Sequence, residues 1–74
     1  MGDFRPAGPA VVLDLAHGRR HVLQRQVHPD VGPVVAISFE AIVAGAWRTI
    51  GRCRVNVEAA ALVAEALVEL AGEG

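Results

Sequence analysis

The sequence predicts an α+β protein: a four-stranded antiparallel meander followed by one C-terminal helix, assembled as a helix-mediated homodimer. Three observations predict it. Four segments with strand-like patterning are separated by Gly- and Pro-bearing turns. The segment after them, residues 57–71, contains no Gly or Pro and carries glutamates as its only charges. Finally, 74 residues with 53% hydrophobic content are too few to bury their apolar surface alone, because a core of this size supplies only ~3–5 kcal/mol and needs a staple. One cysteine, Cys53, excludes an internal disulfide, which leaves oligomerisation as the staple.

Taken in order, residues 1–9 hold two Gly and two Pro and read as a flexible N-terminal arm, with residues 10–74 as a single domain. AVVLDLA (10–16) alternates, with Val11, Leu13 and Leu15 on one side and Asp14 on the other. HGRR (17–20) supplies the glycine of a hairpin turn. RHVLQRQVH (20–28) is a more polar second strand, and PDVGP (29–33) is turn chemistry. VVAISFEAIV (34–43) is the clearest strand, with Val35, Ile37, Phe39, Ala41 and Val43 on one face. AWRTIGRCRV (46–55) is the fourth.

Asn56 suits an N-cap and Glu58 the first turn of a helix from about Val57 to Ala71, which stops at Gly72. At ~100° per residue, Glu58, Glu65 and Glu69 form one narrow wet stripe. Ala60, Val63, Leu67 and Leu70 gather opposite and are expected to pack on the sheet. Val57, Ala61, Ala64 and Val68 form a second seam with coiled-coil-like spacing, and there a second copy is expected to pack. The competing reading leaves these alanines half-exposed as plain helix formers.

Strict alternation on the fourth strand puts Arg48, Ile50, Arg52 and Arg54 on one face. Trp47, Thr49, Gly51, Cys53 and Val55, the more apolar set, then face the helix. A bulge at Gly51 would instead flip Arg48 relative to Arg52 and Arg54. The arginines are expected to line the open side of the sheet, with Arg25 and His21 from the second strand nearby. A dimer would double that row into a surface for a phosphate backbone. The alternative is that they solvate an exposed face and pair with Asp14 and Glu40.

With GRCRVNVEAAALVAEALVEL as its last strand and helix, the meander-plus-helix plan over roughly residues 34–70 resembles the positive-cofactor type of transcriptional coactivator. The Whirly proteins share that plan. The resemblance implies dimerisation through the helices and binding of single-stranded nucleic acid on the sheets. By position it assigns the basic strand residues to Arg52 and Arg54, with Arg48 near the preceding turn. All seven positive residues here are arginine, and the formal net charge is −1, so any binding is expected to be modest and salt-dependent.

Other chemistry finds little footing. His17, His21 and His28 could meet as metal ligands only if the second strand folded back favourably. Cys53 is expected to fill core space, and no nucleophile elbow or phosphate loop surrounds Ser38 and Glu40. No catalytic residue, metal or cofactor is implied. No stretch reaches the ~18 apolar residues of a membrane span, the N-terminus lacks an apolar signal region, and Pro6 departs from a myristoylation motif; a cytoplasmic protein is expected. The function expected first is nucleic-acid binding by Arg48, Arg52, Arg54, Arg25 and His21. The alternative is a protein-interaction adaptor whose helix or strand edge takes up an unknown partner.

Overall fold

A computed structural model describes residues 2–72. The chain forms β1 (Arg5–Pro6), β2 (Val11–Leu15), β3 (Arg19–His28), β4 (Gly32–Val43), β5 (Ala46–Asn56), a 3₁₀ turn (Val57–Ala59) and α1 (Ala60–Gly72). All strand pairs are antiparallel. Both β1 and β2 add to the same edge of β3, and β4 and β5 follow on its other side. The expected meander is therefore present, with one correction at its start. Part of the supposed arm is a strand: Arg5 pairs with Val27 and Pro6 with Gln26. Pro6 is tolerated because this is a sheet edge, where a missing N–H breaks no interior ladder. Beyond it the chain stays tethered, since Ala7 N donates to Arg25 O at 2.8 Å and Gln24 Nε2 donates to Gly8 O at 2.9 Å.

The three hairpins are tight. Between β4 and β5, Ala44 (φ 52°) and Gly45 (φ 80°) both take positive φ, the two-residue geometry that matches strand twist. Between β3 and β4, His28 Nδ1 accepts from the backbone N–H groups of Asp30 and Val31 at 3.0 and 3.3 Å. That imidazole thus stands in for the side-chain oxygen that commonly closes such a turn.

The decisive irregularity lies on β5. Phe39 pairs with Gly51, but Glu40 pairs with Thr49, so Ile50 is an extra residue bulged out of the ladder. Cross-strand partners share a face, and the register therefore sorts every strand residue. One face carries Val11, Leu13, Leu15, Leu23, Val35, Ile37, Phe39, Ala41, Cys53 and Val55. The helix lies over this face: Ala60, Val63, Ala64 and Leu67 close a groove of about 170 Å³ with Leu23, Val35, Ile37 and Val55. The other face carries no helix and is called the open face, although Val34 at its β1 end is 1% exposed. Phe39 explains why position 51 is glycine, because a Cβ there would stand 3.3 Å from its ring.

The helix covers less than the sequence suggests. Asn56 is extended (φ −60°, ψ 136°) and makes no side-chain cap; a 3₁₀ turn intervenes, and Ala60 N–H donates to Val57 O. No residue of α1 is buried. Leu67 and Leu70, expected against the sheet, remain 60% and 68% exposed, and Val68 is 74% exposed. Cys53 faces the helix side but is exposed rather than core, since the helix does not reach over it. Val34 is the only fully buried apolar residue among those described. Also among the described residues, no helix is long and apolar enough to cross a membrane.

The left-handed conformation at Ala44 costs a non-glycine residue about 1 kcal/mol, and asparagine bears it best. Ala44→Asn is accordingly expected to stabilise the fold by about 0.5–1 kcal/mol, read as a rise in Tm of several degrees by circular dichroism.

Candidate nucleic-acid interface

The register divides the five residues expected to act together. Arg52 pairs with Ser38 and Arg54 with Ala36, on the open face. Arg48 pairs with Ala41, Arg25 with Val35 and His21 with Phe39, all on the helix side. Arg48, Arg25 and His21 therefore do not join the open-face row. The cause for Arg48 is the one-residue offset at Ile50, since a shift of one reverses every side chain beyond it. Arg25 and His21 differ because β3 alternates without interruption and carries them with Leu23. His21 makes an edge-on contact with Phe39, ring centroids 4.8 Å apart.

The same offset brings Trp47 to the open side, where strict alternation had put it inward. Trp47 pairs with Ile42 and Thr49 with Glu40, on the face of Arg52 and Arg54. Trp47 is 41% exposed. Arg20, not anticipated as a site residue, lies over it with Cζ 4.0 Å from the ring centroid. Arg20 Nε also donates to Glu40 Oε1 at 2.6 Å, and both side chains are partly shielded from water. The alternative reading of Arg48, Arg52 and Arg54 as partners of Asp14 and Glu40 is thus replaced at Glu40 by Arg20. Asp14 stands opposite Arg20 across the β2–β3 ladder.

A second stack closes the other end of the face. Arg54 Cζ lies 4.0 Å over the Phe4 ring, and its Nε donates to Gln26 Oε1 at 3.2 Å. Phe4 in turn meets His28, with centroids 4.8 Å apart and planes at 46°. Pairing of β1 is what brings Phe4 here. Between the two stacks lies a shallow depression of about 220 Å³ whose lining includes Gln26, Ser38, Arg52 and Arg54. Arg52 is exposed and, among the described residues, makes no hydrogen bond or ion pair.

The open face therefore combines three guanidinium groups with two aromatic rings. Guanidinium planes and rings both offer flat surfaces to unpaired bases. Arg20, Arg52 and Arg54 set against Asp14 and Glu40 leave one net positive charge on this face. Stacking, not field strength, is its stronger resource. The missed residues had a signal in the sequence: a glycine within a strand, at position 51, marks the place where parity fails.

Comparison with protein-family models, curated proteins and solved structures finds no match to this chain. Among the described residues, no group of three or more His, Cys, Asp or Glu side chains is arranged to hold a metal ion.

Arg20 links Glu40 to the sole tryptophan, so it reports on itself. Arg20→Ala is expected to shift Trp47 emission to longer wavelength and to cost about 1 kcal/mol in urea unfolding, the sum of a partly shielded ion pair and a cation–π contact.

Proposed function

We propose that the protein is a homodimeric module that binds single-stranded nucleic acid on the open face of its sheet, in a transcription-associated role of the kind the coactivator resemblance implies. The observation that carries this reading is the pair of arginine–aromatic stacks, Arg20 on Trp47 and Arg54 on Phe4, flanking the unpaired Arg52. Bases stack on such platforms whatever their identity, at about 1–3 kcal/mol per base, while arginines meet the phosphates between them. The contact set is Arg20, Arg52, Arg54, Trp47 and Phe4. Support for the homodimer comes from Val57, Ala61 and Val68 of the expected seam and from the apolar surface left on α1, whereas Ala64 lines the groove against the chain's own sheet.

A second reading rests on that same exposure. Leu62, Leu67, Val68 and Leu70 together offer a helix that a different protein could take up. The adaptor would then fail on changing the helix and survive changes to the open face.

A fluorescently labelled single-stranded oligonucleotide is expected to bind at ~50 mM salt and quench Trp47. With two or three phosphates neutralised, log K should fall with log salt at a slope of about −2. Arg52→Ala combined with Arg54→Ala should abolish binding, and Trp47→Ala should weaken it about tenfold or more. Absence of binding at that salt concentration, with the chain folded, ends this reading.

A further inference from the structure

The charges of this chain are sorted by surface, and the sorting describes a partner. On the helix side of the sheet the strands carry Arg5, Arg19, Arg25, Arg48 and His21 and no carboxylate. Asp14 and Glu40, the two carboxylates within strands, both lie on the open side. The 3₁₀ turn and α1 carry the reverse: Glu58, Glu65 and Glu69 and no cation. Yet Arg20–Glu40, on the open side, is the ion pair found among the described residues. The acidic stripe and the basic sheet face of one chain do not neutralise each other.

Exposed large apolar residues occur on both faces, Val12, Ile42 and Trp47 on the open side, but more of them belong to the helix side and to α1. Val11, Leu13, Leu15, Val27 and Val43 on the helix side of the sheet, and Leu62, Val63, Leu67, Val68 and Leu70 on α1, are all exposed. Fully burying a valine or leucine side chain removes roughly 60–120 Å² from water, so these half-covered ones offer on the order of 500 Å² before the alanines and Cys53 are counted. A stable interface takes about 800 Å² per partner. The seam Val57, Ala61, Ala64 and Val68 alone, made mostly of small residues, falls far below that.

We infer that the helix-side face of the sheet is a docking surface for the α1 helix of a second copy, exchanged reciprocally about a twofold axis. This rests on the self-association proposed above and specifies its geometry. The second copy's helix lies along Val11, Leu13, Leu15 and Val43, beside the chain's own helix, and its acidic stripe faces Arg19 and Arg48, which share a cross-strand row with Leu15 and Ala41. A twofold arrangement makes both halves of the contact identical, so each chain's arginines meet the other's glutamates. Any helix could fill the apolar strip. One with glutamates as its only charges suits a sheet face whose strand charges are all cationic, and this chain carries such a helix.

The test is a charge swap in the full chain. One variant carries Glu65→Arg and Glu69→Arg; the other carries Arg19→Glu and Arg48→Glu. Each alone is expected to dimerise at least tenfold more weakly in sedimentation equilibrium. An equimolar mixture should regain the mass of two 7.8 kDa chains, because both halves of the mixed contact then have opposite charges. A companion pair guards against misfolding: Leu13→Glu should dissociate the dimer, while Val12→Glu, next in sequence but on the open face, should leave it intact. Retained dimers in both charge variants overturn the inference. So does a dimer lost on Ala61→Glu but indifferent to Leu13→Glu, which would keep the self-association and relocate it to the helix seam. A folded single chain at high concentration overturns both the inference and the proposed homodimer. Nucleic-acid binding is read separately, through Arg52 and Arg54.

Discussion

Between Phe39 and Glu40 on one strand, the neighbouring strand supplies Gly51, Ile50 and Thr49, and every assignment of β5 side chains to a face follows from that mismatch. A bulge adds one residue and a local twist. Here it carries Trp47 to water and Arg48 to the helix side. Gly51 adjoins the bulge, and a Cβ at that position would crowd the Phe39 ring at 3.3 Å. Phe39 also meets His21 edge-on, so one aromatic ring touches both the bulged strand and the adjoining column of β3.

The two faces that result differ in how their charges are satisfied. On the open face, guanidinium groups are held locally, by Glu40 and Trp47 in one case and by Gln26 and Phe4 in the other. Such contacts contribute about 0.5–1 kcal/mol each at exposed sites, enough to order a side chain without locking it. On the helix side Arg48 and Arg25 have no such companions among the described residues. A surface of pre-ordered cations beside rings and a surface of unsatisfied cations beside aliphatics are suited to different partners.

Most of the architecture could be read from residue order. The strands ending in HGRR, PDVGP and AG, and the unbroken helix, needed only turn chemistry and periodicity, which act over a few residues. The arm was misjudged because Arg5–Pro6 has no strand pattern of its own; it is ordered by the edge of β3, a partner some twenty residues away. Asn56 was misjudged because its backbone is still paired with Val34 at the end of β5, before the helix begins. The site was legible residue by residue but not as a set. Arg52 and Arg54 stand together as their spacing implies, whereas Arg48 required knowing which residue the bulge expels. Parity named the danger at Gly51 but could not choose between a smooth ladder and a broken one, since that choice is made by pairing with β4 rather than by β5 alone.

Val34 alone is sealed from water among the described residues. In the self-association proposed above, two chains would complete each other's burial, and by mass action the population of native molecules would then depend on abundance. Dilution would erode it in the same way as warming. On that proposal, expression level as much as sequence would set how long such a chain stays folded.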